Sequence, residues 1–455
     1  MSLNSKLPYP SPIRAWTMVV ILTLAYVLSF VDRYILSLLA EPIKADLNLS
    51  DTQMGLLLGP AFAIFYALVG LPLGYLADRK RRTWIVAIGI ALWSLATSLS
   101  GIARSFFQLF IARMAVGVGE AALSPCTMSL IADSFAQEKR GKPIALYSTA
   151  ISLGAGIALL AGGAVIGWAM TADPISIPSF GELKPWQLTM IIVGLPGLIL
   201  APLLLLLPEP KRRNENIAPG TSQPTYADTF KYILARRNFF LCFISVFCLM
   251  TIIGYSTSWG APMFTRTWGW SIVQYSQWAG IMFIVVGPVT VNFAGWLSDF
   301  LYKKGINDAP MLIAMAGVPI MSVSGFIWPL MPTPELAIFV LGITMAGVAL
   351  SSATGATALL NILPANMRGQ AMAIYYVCIS FFGLGFGPTT IGLLSDFVFG
   401  EAQLRYSIAM LSIIYGIPVL ILMPWTRKSY KAELQKVREL QLTAQSDQTT
   451  SEGTS

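Results

Sequence analysis

Four ionisable residues sit inside runs that are otherwise apolar or small: Asp32 and Arg33 in "LSFVDRYIL" (28–36), and Arg113 and Glu120 in "RMAVGVGEA" (113–121). A charge within such a run costs at least a few kcal/mol in lipid and marks a functional position by default. Arg113 and Glu120 are two helical turns apart and share a face. Gly117 and Gly119 between them leave room for a ligand or another helix. Arg33 lies about 100° round a helix from Asp32. It can bind an anionic group, pair with Glu120, or snorkel outward. Burial favours the neutral carboxyl and a nearby cation favours the ionised one. Two carboxylates with two guanidiniums can therefore hand a proton back and forth. In this reading Asp32 and Glu120 take turns at the proton, and Arg113 keeps Asp32 ionised until a substrate anion competes for the guanidinium. The bland alternative is a static ion pair that fixes helix packing.

The elements that must position these groups are membrane spans. The 455 residues are 55% hydrophobic and only 11% charged, with mean hydropathy +0.67. Soluble domains carry about a quarter charged residues. Runs near 20 residues with so few charges read as transmembrane helices, because lipid forces each span to bond its own backbone. Twelve are expected: 15–40, 51–76, 84–102, 105–131, 143–170, 187–207, 238–264, 274–298, 309–331, 335–361, 370–396 and 403–425. With both termini placed in the cytoplasm, 23 of the 30 basic residues fall on the inner side, as the positive-inside rule expects. The net charge of +8 then reports orientation. At ~1.5 Å per residue, Asp32 and Arg113 sit at similar depth in the outer half of the bilayer. Glu120 is about 10 Å further in. Arg113 across a water-filled cavity is the expected partner of Asp32.

Several classes fall away. There is no histidine, so proton chemistry falls to carboxylates. Cys126, Cys242, Cys248 and Cys378 show no metal spacing and read as packing residues. No phosphate-binding loop or nucleophile elbow is present, so no enzyme, ATP-driven pump or cofactor is expected, and the coupling ion is the proton. No basic stripe interleaves with aromatics, which excludes nucleic acid as a partner. The polar first 14 residues and the long first apolar run do not read as a cleavable signal.

The chain divides into a six-span bundle (1–207), a hydrophilic linker (208–237), a second six-span bundle (238–425) and a tail (426–455). The bundles echo each other. "GYLADRKRR" (74–82) after span two matches "GWLSDFLYKK" (295–304) after span eight, and "QEKRGKPIALY" (137–147) matches "ANMRGQAMAIY" (365–375). Duplicated bundles rock about a central site in secondary transporters.

Twelve spans, a Gly-x-x-x-Asp-Arg loop after span two, its weaker copy after span eight and a long central loop resemble the major facilitator superfamily (MFS). "DRY" in span one, "GYLADRKRR", "RMAVGVGEA" and "IADSFAQEKRGKPIALYS" (131–148) resemble the spinster-like (Spns) branch. The resemblance implies an all-α membrane protein of twelve transmembrane helices in two pseudo-symmetric six-helix bundles. It implies alternating access, and in the animal members export of sphingosine-1-phosphate or lysophospholipids. It also implies that spans one and four line the cavity. In the loop after span two, it implies that Asp78 locks the cytoplasmic side by bonding the neighbouring half, with Gly74 allowing close packing and Arg79 and Arg82 at the basic positions. Asp299 is the weaker copy, and Arg140 a possible partner of Asp78. Arg81 stands where the superfamily usually has glycine.

The second bundle offers aromatic and small polar groups instead of buried charge. Tyr255, Trp259, Asn361 and Tyr375 are the candidates to meet a substrate there, with Arg33, Arg113 and Glu120 opposite. A charged half facing an aromatic half suits an amphipathic substrate, head toward the arginines. The expectation is a monomeric, proton-coupled transporter of a lysolipid-like molecule in a bacterial inner membrane. A small organic-anion/proton symporter and a non-transporting membrane sensor are the alternatives. In the tail, Leu434, Val437 and Leu440 at helical spacing suggest a helix on the inner membrane surface, and 446–455 reads as disordered.

Overall fold

The structure is a computed structural model that describes residues 9–77, 79–136, 139–173, 175–177, 181–212, 226–364 and 367–452, with the side chains of 71, 151, 152, 438 and 440–452 left undescribed. It contains twelve helices long and apolar enough to cross a membrane: Pro12–Leu38, Asp51–Gly70, Arg82–Ser100, Phe106–Ser134, Leu153–Thr171, Pro185–Leu205, Arg237–Trp268, Ile272–Lys303, Ala309–Leu330, Pro334–Ile362, Arg368–Phe399 and Glu401–Val437. These are spans one to twelve. Large apolar side chains such as Ile88, Ile199, Val289 and Ile421 stand exposed along them, the arrangement that suits lipid as the surrounding solvent. A two-stranded hairpin, Ser176–Ile177 with Gly181–Glu182, is a small departure from an all-helical chain.

Several spans are broken where proline removes a donor. Pro125 cannot bond the carbonyl four residues back, and the helix of span four divides at Ala121–Ala122, directly after Glu120. Pro262 does the same in span seven, which narrows to a 3-10 turn at Tyr255–Trp259. The freed Ser258 carbonyl accepts the Ser37 hydroxyl of span one instead. Pro60 starts the second part of span two after a kink at Gly59. Span four, which carries Arg113 and Glu120, and spans two and seven are thus interrupted, while span one runs unbroken through Asp32 and Arg33.

Among the described residues, the close approaches of the two bundles lie toward the end away from the termini. There span two lies against span eleven: a methyl group on Gly59 would sit 2.4 Å from the Leu384 carbonyl, and one on Gly55 2.7 Å from that of Pro388. Span five lies against span eight, where a methyl on Gly156 would meet Gly280 and Ile284. Only glycine permits these approaches. At the terminus-bearing end, a methyl on Gly70, Gly74, Gly141, Gly295 or Gly369 would meet nothing within 4 Å. The molecule is closed at the distal end and splayed at the end that carries the termini.

Within the linker, Tyr226–Ala235 forms a helix bound to the second bundle. The last span does not turn onto a membrane surface. Its helix continues from Leu404 to Glu452, held by the buried Tyr430 against Phe239 and by Glu433 to Arg236. The expected disorder of 446–455 therefore gives way to helix as far as Glu452, and the Leu440 side chain lies outside the described residues.

Candidate functional site

The four buried charges come together between spans one and four; Arg33 takes Glu120, one of the pairings left open by the sequence, while the expected Arg113–Asp32 carboxylate pair does not form. Arg33 bonds Glu120, with Nε 2.7 Å from Oε2 and the terminal Nη2 at 2.5 Å. Glu120 is buried, and the Arg33 side chain keeps 24% of its surface open. Arg113 does not reach the Asp32 carboxylate. Its Nη1 donates to the Asp32 backbone carbonyl at 3.1 Å. The reason is geometric: Asp32 and Arg33 diverge around the helix, so one guanidinium takes Glu120 while the other meets the span-one backbone.

Three polar atoms in this cluster are buried with no hydrogen-bond partner: Asp32 Oδ1, Arg113 Nε and Glu120 Oε1. Native interiors bond nearly all such atoms, so each unbonded one asks for a ligand, water or proton. Aromatic rings wall the cluster. The Arg33 guanidinium carbon lies 4.8 Å from the centre of the Phe62 ring, 5.4 Å from that of Tyr66 and 5.7 Å from that of Phe30, and Arg113 is 5.6 Å from Phe62. Ring faces attract such cations and hold them without neutralising them. Phe62 reaches Arg113 because its backbone carbonyl packs on Gly117, 2.5 Å from where a Cβ would be. Tyr34, on span one, meets Phe283 of span eight edge-on at 6.2 Å, so the cluster faces an aromatic second bundle.

Of the second-bundle candidates, Tyr255 stands on the 3-10 turn of span seven, its Cβ side against Gly387 of span eleven. The other three are packed elsewhere. Trp259 is fully buried and donates its indole N–H to the Pro388 carbonyl at 2.9 Å, which makes it part of the distal closure. Tyr375 is packed among Phe243, Phe247 and Tyr376. Asn361 bonds the Tyr302 hydroxyl at 2.7 Å at the terminus-bearing end of span ten. Aromatic or amide identity alone does not tell a lining residue from a core one.

The gating candidates are likewise redistributed. Arg82 is fully buried inside the first bundle, bonded to Asp133, Ser129, Glu209 and the Pro210 carbonyl. It ties spans three, four and six together and locks nothing between halves. Arg79 stacks on Tyr75 at 4.0 Å. Arg140 Nε bonds the Phe135 carbonyl that ends span four. Gly74 borders open space and Asp299 is exposed, as the splayed end requires. Asp78 lies outside the described residues.

The charge network that does join the halves was not singled out from sequence. It lies at the distal end. Arg266 of span seven bonds Asp51 at 2.7 and 2.8 Å and Glu41 at 2.7 Å. Lys44 bridges Asp51 and Glu401 at 2.6 and 2.5 Å. Asp396 accepts the backbone N–H groups of Asp51 and Thr52 at the start of span two, where helix N-termini favour carboxylates. Ser395 adds a hydroxyl to Asp51. A signal was present: only five basic residues fall on this side, and Lys44, Lys184 and Arg266 among them form ion pairs.

The fold and the buried charge cluster define a secondary transporter. The profile of the Major Facilitator Superfamily matches residues 22–388, and the chain belongs to that superfamily. It is 30% identical to an MFS-type efflux pump of Mycolicibacterium smegmatis, over 85% of each chain. It is 25% identical to Protein spinster of Drosophila melanogaster, over 66% of this chain and 48% of that one. The crystal structure of a bacterial homologue of the human lysosomal transporter spinster, inward-facing and unoccupied, superposes with a TM-score of 0.76. That match covers 94% of this chain and 98% of the other at 24% identity. The protein is a membrane transporter of that superfamily.

Proposed function

We propose that the protein is a proton-coupled transporter of an amphipathic, lysolipid-like molecule with an anionic or zwitterionic head. It works as a monomer by alternating access, with both termini in the cytoplasm of a bacterial inner membrane. In that orientation the splayed end opens inward. The observation that carries the reading is the set of three unbonded polar atoms on Asp32, Arg113 and Glu120, buried between spans one and four. A lone carboxylate oxygen is a place for a proton, and a lone guanidinium N–H is a place for an acidic head group. Arg33 is partly open to the cleft and held by one carboxylate oxygen, so a substrate phosphate can compete with Glu120 for it. Released from Arg33, the buried Glu120 is driven to take up a proton. The Tyr34, Phe283 and Tyr255 side accepts the apolar portion.

The test is flux of lysophospholipid and sphingoid phosphate in proteoliposomes, with and without a pH gradient. Gradient-dependent flux in wild type that no longer responds to the gradient in Asp32→Asn supports the reading. Lipid flux that ignores the gradient and is unchanged in Asp32→Asn removes the coupling role. Absence of flux for every lipid, with uptake of a small organic anion, replaces the substrate class.

A further inference from the structure

We infer that the linker helix Tyr226–Ala235 is a membrane-surface element that seats its own apolar stripe in an anionic lipid boundary. The helix docks on the second bundle through one face. Thr229 is fully buried and its hydroxyl bonds Gln370 at the start of span eleven; Tyr232 bonds the Ile362 carbonyl at the end of span ten. Ile233 is buried beside them. Both anchors are helix ends on the terminus-bearing side, and after a break at Arg236 the chain enters span seven. The helix therefore sits at the level where spans leave the hydrocarbon.

Among the described residues, a second face is exposed. Tyr226, Phe230 and Leu234 recur every four residues and are all about half exposed. At about 100° per residue this stripe lies roughly a quarter-turn from the docked face. Asp228 and Lys231 occupy the remaining arc. A helix docked sideways, with apolar residues on one flank and charge on the other, has the geometry of an interfacial helix. The span that the chain enters next already carries an exposed apolar residue a turn from its start, Leu241 of span seven. Exposed cations lie on the helix and just past its end, Lys231 and Arg237. That complement favours anionic head groups, and it selects the bilayer as occupant over a second protein.

The experiment is nitroxide labelling in nanodiscs, on a background with Cys126, Cys242, Cys248 and Cys378 changed to Ser. Single cysteines replace Phe230, Leu234 and Lys231. Labels at 230 and 234 should collide more with oxygen than with a water-soluble nickel chelate, and the label at 231 should show the reverse. Replacing phosphatidylcholine by phosphatidylglycerol should deepen the first two. Aqueous behaviour at 230 and 234 overturns the inference. Shielding from both reagents also overturns it, because it identifies a protein cover. Equal depth in both lipids removes the anionic preference. Phe230→Glu gives a second arm: it should shift the label at 234 toward water while Thr229 and Tyr232 keep the helix docked.

Discussion

Arg266 holds Asp51 with two guanidinium nitrogens, at 2.7 and 2.8 Å, across the boundary between the two bundles. The carboxylate is fully buried, and the helix start it belongs to is also gripped by Asp396. This contact must part whenever the distal end opens.

Asp51→Asn should therefore weaken the distal closure. Losing one partner of a buried pair strands the other charge and costs about 3–5 kcal/mol. Lys44, Glu41 and Glu401 remain nearby to share Arg266 or its freed neighbours, so a net shift of about 2 kcal/mol is expected, roughly thirtyfold in the ratio of states. Double electron–electron resonance between labels at Asp173 and Glu335, both exposed at that end, reads it as a growing long-distance population. An unchanged distance distribution would show that the glycine contacts alone keep the end shut.

Gly59→Ala tests those contacts. Its Cβ would lie 2.4 Å from the Leu384 carbonyl, a backbone atom that cannot step aside. The same label pair should report the distal end held apart, and transport should fall. Gly74→Ala, which meets open space in this state, should leave the closed distal distance as it is.

The Arg33–Glu120 pair should behave as one unit. Glu120→Ala leaves a half-buried guanidinium without its carboxylate and should lower stability by about 2–3 kcal/mol, while Arg33→Met with Glu120→Leu should cost less than either single change. Thermal unfolding in detergent gives the cycle. Additive losses would mean that the two charges are already solvated separately.

Asp32→Asn removes a charge whose Oδ1 has no partner. It should leave the unfolding temperature unchanged or raise it, since an unbonded buried carboxylate contributes cost and little bonding. Coupled flux should be lost in the same variant. A large drop in stability would instead make the carboxylate a structural acceptor.

Arg82→Ala should fail in a different way. Four side-chain bonds, to Asp133, Ser129, Glu209 and the Pro210 carbonyl, end at once, while the backbone N–H of residue 82 keeps its bond to Glu209. The expected loss of about 3–5 kcal/mol would show as poor folding, with no selective effect on substrate affinity in the protein that survives.

The twelve spans and the two bundles were legible because lipid leaves one signal, apolar length, and positive charge marks the sides. The four buried charges were legible for the same reason: they break that signal. Their pairing was legible only as options: Arg33 with Glu120 was one of three, and Arg113 was expected on the Asp32 carboxylate, not on its backbone carbonyl. Spacing along one helix places Arg113 and Glu120 on a face, but it carries no information on which atom of span one each arginine meets. Trp259 and Tyr375 misled because an aromatic residue packs a core and lines a cleft with the same chemistry. Asp51 and Arg266 escaped notice because they sit at span ends, where charges are ordinary, and only the folded arrangement shows one of them buried.

Arg82 at the start of span three bonds Glu209 beyond span six, whereas at the duplicated place Asp308 opens span nine and Arg427 answers it from span twelve. The two copies carry opposite polarity. Helices from a duplicated unit have similar shapes and can insert beside the wrong neighbour while the chain assembles. A swap here would set Arg427 against Arg82 and Glu209 against Asp308. Like charges would meet in both misassembled bundles, so the reversed polarity penalises that exchange.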